Sequence, residues 1–464
     1  MQAVQTEPEP RSGRFPLGLA LITLVGACWR LGVLAFDKWN QPLLLNDSLY
    51  YSAQARQLVD GIWFREIFVD RPGAEHGPLT SVLLAGVSWV DQPVPWQRLV
   101  TVLCGIATIV VIGLLGRRIG GDRVGLVAAA IAAVYPNLWM NDGLVMSESV
   151  SVLMVSLALW AAHRLLTEVD ARTVTPVGAV GSSMARPARA AAAAAVVAGV
   201  LAGLAALARS ELALLTPAVM VLVAIRLLRG GPAGTRWVKS LMLPLVVGLS
   251  SLLTVAPWVV FNMVRFEETV TLTTNDGTTL LGSYCDASFS GPNIGGWSLL
   301  CVVADPDYSM DEEPSVRSAR QRDLAIDYAK EHVGDLPKVV VARIGRTLDL
   351  YGLDSLVAQD VGEERYRWAS WAGIVMWWVL AVAAVVGGVV LRRRTAPTTW
   401  PLWLLLCPVA SVTITTVVFY GGHRIRSSME PTVIVLAALA FVALANRRRG
   451  PDAAGEATAP DEAP

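Results

Sequence analysis

Apolar residues in this chain gather into long runs separated by polar turns and two longer polar segments. A helix that crosses the hydrocarbon core of a bilayer needs about 20 mostly apolar residues, whereas a run of 10–14 is more often interfacial. By that measure ten spans are predicted: Phe15–Phe36, Gln97–Gly116, Val124–Met140, Val145–Ala162, Ala190–Ala208, Leu212–Leu228, Ser240–Met263, Trp368–Leu391, Trp400–Tyr420 and Glu430–Ala445. Pro78–Val90 is too short, and Pro95 follows closely, so it is assigned to a helix lying at the membrane surface. Tyr51, Ala55, Leu58 and Ile62 recur at helical intervals and predict a second interfacial helix in the same loop. The pattern as a whole predicts an all-α polytopic membrane protein.

Orientation follows from the short loops, because Lys and Arg accumulate on the cytoplasmic side. Arg11 and Arg14, Arg117/Arg118/Arg123, Arg164 to Arg189, Arg226 to Lys239, Arg392–Arg394 and Arg447–Arg449 all fall on one side when ten spans are counted. That places both termini in the cytoplasm of a plasma-membrane protein. Counting Pro78–Val90 as a span would put Arg117, Arg118 and Arg123 outside. The first span is long, interrupted by Arg30, and lacks a small-residue cleavage site, so it reads as an anchor rather than a removable signal. The ends, 1–14 and 447–464, are rich in Pro, Glu, Ala and Asp and are expected to be disordered tails. Between them lie a transmembrane module over 15–263, an outer segment over 264–366 and the final spans over 367–446.

Composition agrees. Of 464 residues, 54% are hydrophobic and 16% charged, with no formal net charge. Soluble domains carry about 25% charged residues, so an ordinary cytosolic enzyme is excluded. A balanced charge gives no reason to expect nucleic acid as a partner.

Two substantial segments face outward, 37–96 and 264–366. The second is long enough for a small subdomain, with helices expected at Ser315–His332 and Pro337–Leu350. It also carries Cys285 and Cys301, which in an oxidising compartment either form a disulfide worth about 3 kcal/mol or remain two thiols. Cys28, Cys104 and Cys407 lie within spans, and no Cys/His spacing suggests zinc.

Polar residues concentrate at one level. Asn46–Asp47–Ser48 follows the first span, and Asp47 reads either as the N-cap of the helix after it or as a carboxylate placed for general-base work. The same loop continues to Glu75–His76–Gly77–Pro78. Other outer turns carry Asp142 and Glu148, then Arg209–Ser210–Glu211, then His423–Arg424–Ile425–Arg426 before Glu430. Arg209 and Glu211 could also be no more than a local ion pair. Ionisable groups at such depth are costly and often functional. Arginine forks bind phosphate oxygens in pairs. One carboxylate to take a proton from an attacking hydroxyl, with arginines to hold a departing phosphate, is a minimal set for glycosyl transfer.

On these segments the chain resembles the GT-C superfamily of membrane glycosyltransferases, and within it family 39, the protein mannosyltransferase and aminoarabinose transferase-like group. The residues that carry the resemblance are Asn46–Asp47–Ser48–Leu49–Tyr50–Tyr51 with Gly61, then His76–Gly77–Pro78–Leu79, Tyr135–Pro136 through Met146–Ser147–Glu148, Arg209–Ser210–Glu211, and His423–Arg424–Ile425–Arg426 before Pro431. The resemblance implies an outward-facing enzyme that moves a sugar from a polyprenyl-phosphate carrier by an inverting displacement to a glycan, lipid or protein acceptor. It implies Asp47 as the base, Arg424, Arg426 and Arg209 at the donor phosphate, and Tyr51, His76, Asp142, Glu148, Glu211 and Asn275 around the substrates. Asn275–Asp276–Gly277 and the two outer cysteines resemble actinobacterial members, which implies decaprenyl phosphate as carrier. The chain departs from the family in having Ser48 where a second acid often follows, and Gly77 where His-Pro-Pro is common. Family members differ over metal, and no Asp-x-Asp motif stands in the first outer loop to indicate one. A transporter or flippase of a lipid-linked glycan is the main alternative, but transporters usually place charges at the bilayer midplane and carry inverted repeats. An inactive envelope scaffold is a third, against which the intact Asp47, Arg424 and Arg426 weigh.

Overall fold

The computed structural model describes residues 13–44, 47–174, 185–230, 236–309 and 311–448. The expected disordered tails fall almost wholly outside those residues. Helices dominate: α1 (Arg14–Val33), α2 (Asp47–Val59), α3 (Pro78–Ala85), α4 (Val94–Gly120), α5 (Asp122–Val134), the single turn α6 (Pro136–Trp139), α7 (Glu148–Val174), α8 (Ala185–Ala208), α9 (Leu215–Gly230) and α10 (Arg236–Arg265) form the first part. The second long polar segment contributes α11 (Asp276–Ser283), α12 (Asp286–Phe289), α13 (Leu299–Val303), α14 (Pro314–Glu331), α15 (Leu336–Thr347) and α16 (Leu353–Gly362). The chain closes with α17 (Arg367–Thr395), α18 (Trp400–Val418), the turn α19 (His423–Arg426) and α20 (Glu430–Arg448).

Among the described residues nine helical stretches are long and apolar enough to cross a membrane. The difference from ten lies at 124–140. Pro136 biases the residue before it away from helix, and Tyr135 is extended (φ −68°, ψ 117°), so α5 stops after 13 residues. The break frees carbonyls, because Pro136 has no N–H to give Ala132. Arg30 of α1 supplies the missing donors, to Ala132 O at 3.1 Å and Ala133 O at 2.8 Å. Phe15, near the start of α1, lies against Gly125 at the start of α5. The short helix therefore packs along α1, its 13 residues reaching about 20 Å at 1.5 Å per residue. Glycines 113, 116 and 125 let α4 and α5 approach backbone to backbone.

The helices give the bundle two chemically different ends. The helical stretch from α19 through α20 carries Arg424 at one end and Arg447 and Arg448 at the other, and α17 runs from just beyond Arg365 to Arg392–Arg394. The segment 264–366 is mostly helix and has only a small apolar cluster of its own, Phe289, Ile294, Val339 and Ala342. Cys285 and Cys301 are joined by a disulfide. Arg343 anchors this segment to the bundle by donating to Val417 O (2.7 Å), a carbonyl at the end of α18, and braces the segment itself by donating to Ser283 O (2.8 Å).

In the first connecting loop Tyr51 and Ala55 face inward, while Ile62 lies past the end of α2 and is exposed. Pro78 opens α3, which is only eight residues long. Gly77 sits so close to α8 that a β-carbon there would overlap the Leu207 carbonyl. This close approach explains why glycine stands where proline is common in the similar family. Gly77→Ala is expected to lower stability by about 1–3 kcal/mol, because the obstructing atom is backbone and cannot rotate away. Thermal unfolding of the purified variant in detergent is the measurement, and an unchanged melting temperature would refute the packing.

Candidate active site

Asp47 is the first residue of α2, and its carboxylate faces two side chains from distant parts of the chain. Oδ2 accepts from Arg424 Nη2 at 2.6 Å, and Oδ1 lies 3.5 Å from His76 Nε2. The side chain keeps 24% of its surface open. Asn46 lies outside the described residues. Burial pushes the Asp47 carboxyl up, but Arg424 and then His76 outweigh it and hold the group well below the usual carboxylate range. The His76 ring stacks on Tyr51 and meets Tyr50 edge-on, each at 5.1 Å between centroids. Burial alone would favour neutral imidazole, yet Asp47 and Glu75 raise its affinity for a proton above the ordinary value. Two tyrosines thus fix the ring against the carboxylate.

Arg424 is the hub. Besides Asp47 it donates to Glu148 Oε1 at 2.7 Å and Glu363 Oε1 at 3.3 Å, so one guanidinium joins three carboxylates. Glu148, at the start of α7, also lies 3.3 Å from Arg209 and 3.9 Å from Arg365. Arg209 in turn donates to Glu211 at 2.5 Å. Arg365 binds Glu363, Asp360 (3.4 Å) and Asn141 (2.8 Å). A guanidinium offers five donors in one plane, and that is what lets single residues bridge so many acceptors. Every charge in the cluster has at least one opposite charge beside it, the condition under which burial is tolerable.

Of the residues read from the sequence, Asp47, Tyr51, His76, Glu148, Arg209, Glu211 and Arg424 come together here. Three do not. Arg426, expected at the donor phosphate, has no exposed surface: it is enclosed by Asp349 (2.6 Å), Glu430 (3.0 Å) and the Trp377 ring (4.3 Å). Two residues after Arg424 on one helical turn, it points to the opposite side. Asp142 is likewise closed off, held by Arg30 at 2.6 Å and by the Ser149 hydroxyl at 2.6 Å. Asn275 adjoins the loop ahead of His76, where Thr274 N–H donates to Ala74 O at 2.8 Å, but no contact joins its side chain to Asp47. Sequence reasoning missed Glu363, Arg365 and the half-buried Tyr420. The run Glu363–Glu364–Arg365, immediately before a predicted span, was the available signal. Among the described residues no group of three or more His, Cys, Asp or Glu is placed to hold a metal ion.

Comparison with known proteins bears on this arrangement. Residues 75–185 match the family described as dolichyl-phosphate-mannose-protein mannosyltransferase. No curated protein matches the chain significantly by sequence. Among solved structures it is similar to archaeal oligosaccharyltransferase AglB from Archaeoglobus fulgidus in complex with an inhibitory peptide and a dolichol-phosphate: TM-score 0.57, 15% identity, covering 97% of this chain and 53% of that one. The Archaeoglobus fulgidus oligosaccharyltransferase tethered to an acceptor peptide gives 0.57 and 15%, over 94% and 50%. The chain has the GT-C fold. ArnT from Cupriavidus metallidurans bound to undecaprenyl phosphate is a weaker likeness, at 0.42 and 15% over 96% and 80%, and adds nothing to that assignment. The chain spans about half the length of the oligosaccharyltransferase chains it resembles.

The two arginines of α19 are expected to behave differently on truncation. Arg426→Ala leaves Glu430 buried without its arginine and Asp349 with only His423 (2.6 Å), a change that costs about 3–5 kcal/mol. Arg424→Ala frees Asp47, which water can reach, and leaves Glu148 with Arg209, so it costs less. Melting temperatures of the two variants check this, and equal values would contradict it.

Proposed function

We propose that this protein is a membrane glycosyltransferase that moves a sugar from a polyprenyl-phosphate carrier to an acceptor hydroxyl or amide of a glycan, lipid or protein. The observation that carries the reading is the contact between Asp47 and Arg424. A carboxylate able to take a proton and a guanidinium able to bind phosphate lie together there, at the end of the bundle opposite Arg117, Arg392–Arg394 and Arg447. Basic residues favour the cytoplasmic side, so the opening faces outward and both termini face the cytoplasm. The AglB complex with dolichol-phosphate supports a lipid-phosphate carrier for a protein of this fold.

The chemistry follows from the geometry. The acceptor attacks the anomeric carbon from the face opposite the phosphate, which inverts that centre. As the new bond forms, the acceptor proton passes to Asp47, the bond from anomeric carbon to phosphate oxygen breaks, and the carrier leaves as polyprenyl phosphate. Negative charge thereby moves from Asp47 to the departing oxygen. Arg424 stands beside the place where charge is lost and offers its fork to the place where charge appears. Arg209 supplies a second guanidinium, and His76 keeps Asp47 ionised until the proton arrives. A low proton affinity makes Asp47 a weak base, adequate here because the phosphate leaves without protonation.

Purified protein is to be incubated with a panel of polyprenyl-phosphate sugars. Wild type is expected to consume a donor, while Asp47→Asn loses transfer by about 100-fold or more and still binds that donor. Full transfer by Asp47→Asn would end the reading. The pH profile gives a separate test. A carboxylate whose folded proton affinity is depressed stays charged until pH falls below the usual range near 4, so wild-type kcat/KM should hold to low pH. Removing His76 deletes one of the interactions that depress Asp47 while burial remains. The acid limb of kcat/KM is therefore expected to move to higher pH in His76→Asn, and an unmoved limb would refute the coupling.

A further inference from the structure

Beyond Val33 the first span continues in a wider π-helical turn, Leu34–Lys38, and turns of this kind often mark functional places. Between that turn and the segment ahead of α17 the surface opens into a cavity of about 520 Å³. This is within the range of about 300–1,000 Å³ usual for small-molecule sites. Asp37, Lys38, Asn40 and Gln41 line one wall, and Glu364, Arg365 and Tyr366 the other.

The lining selects a ligand class by elimination. Its formal charges are two acids and two bases, and each base is already engaged. Lys38 donates to Glu364 O at 2.6 Å and lies over the Tyr366 ring at 4.8 Å. Arg365 is spent on Glu363, Asp360 and Asn141. The Glu364 carboxylate takes Arg98 at 2.8 Å and the Leu44 N–H at 3.3 Å. An anion entering here meets Asp37 and Glu364 beside the two bases, so the balanced lining gives it no net attraction. An alkyl chain would meet only Leu44 and Val361 and would strip water from polar walls without replacing it. Two acids balance two bases, Asp37 accepts from the Tyr366 hydroxyl, and the side chains left without a partner are neutral. The side-chain amides of Asn40 and Gln41 make no hydrogen bond among the described residues, and each offers both donors and an acceptor. Beside them the Tyr366 ring is held from its edge by a hydroxyl bond to Asp37 and from one face by Lys38. Amides beside a fixed aromatic ring match a ligand with many hydroxyls and an apolar C–H face.

The cavity is also within reach of the reacting groups. Leu44 on its wall is three residues before Asp47, so their α-carbons are at most about 11 Å apart at 3.8 Å per step. Arg365 lines the cavity and lies 3.9 Å from Glu148 in the Arg424 cluster.

We propose that this cavity is an acceptor subsite for neutral carbohydrate, which holds one or more sugar residues and presents a hydroxyl toward Asp47. The inference rests on the glycosyltransferase reading for its role, but the binding itself can be tested alone. The full chain in lipid nanodiscs is to be probed by saturation-transfer NMR with di- to tetrasaccharides of glucose, mannose, galactose and arabinose. At least one series is expected to bind. Asn40→Leu and Gln41→Leu, on an accessible wall outside the Arg424 cluster, should each weaken it by about 3–10-fold, the equivalent of one neutral hydrogen bond. Binding of dodecyl phosphate should be unchanged in both. The proposal is overturned if no series binds, or if both substitutions leave binding untouched. Oligosaccharide binding together with full transfer by Asp47→Asn would overturn the catalytic reading and leave the subsite standing. No binding, with transfer abolished in Asp47→Asn, would do the reverse.

Discussion

The site depends on one guanidinium. Arg424 touches Asp47, Glu148 and Glu363, which belong to three segments separated by most of the chain. Unit charges 4 Å apart attract by about 1 kcal/mol in water and several times more near a protein surface. The opposing cost of removing water from each group is of similar size, so such a cluster holds only when its geometry satisfies several partners at once. A planar fork with five donors meets that requirement, whereas an ammonium would not. The same cation that orders the opening also depresses the proton affinity of Asp47. Architecture and reactivity therefore share one interaction.

Other buried pairs follow a related logic and hold irregular backbone in place. Arg30 binds Asp142 and also caps the carbonyls released where Pro136 stops α5. Arg98 binds Glu364, which has left-handed backbone (φ 66°), and donates to Gly143 O at 2.7 Å. Arg426 joins Asp349 to Glu430 and donates to Thr347 O at 3.1 Å. Non-helical backbone survives inside an apolar bundle only where other groups satisfy its polar atoms. These arginines satisfy them, and so the arginines named here divide into Arg424 and Arg209 at the opening and others that brace its walls.

That division marks the limit of what was legible beforehand. Spans could be located because length and hydropathy are local, and the third was shortened by Pro136. Asp47 and Arg424 could be singled out because ionisable residues beside apolar spans are rare. Yet Arg424 and Arg426 stand in the same short motif, and no feature of His423–Arg424–Ile425–Arg426 says which arginine faces the opening. Glu363 and Arg365 looked like the polar end of a loop. Apart from each other and Asp360, their partners lie more than 50 residues away in the sequence, or more than 200 for Asn141 and Glu148.

Taken alone, the order of residues determined the membrane-spanning class, the two unlike ends of the bundle and the presence of a carboxylate with arginines at one of them. These properties rest on composition within windows of about 20 residues and need no knowledge of neighbours in space. Only the tertiary structure decided which acid meets which base, that Asp142 and Arg426 are sealed, and that a cavity opens between the end of the first span and the segment before α17. Pairing at a distance depends on how helices pack, and Gly77 against Leu207, or Gly125 against Phe15, sets those approaches through the absence of a side chain.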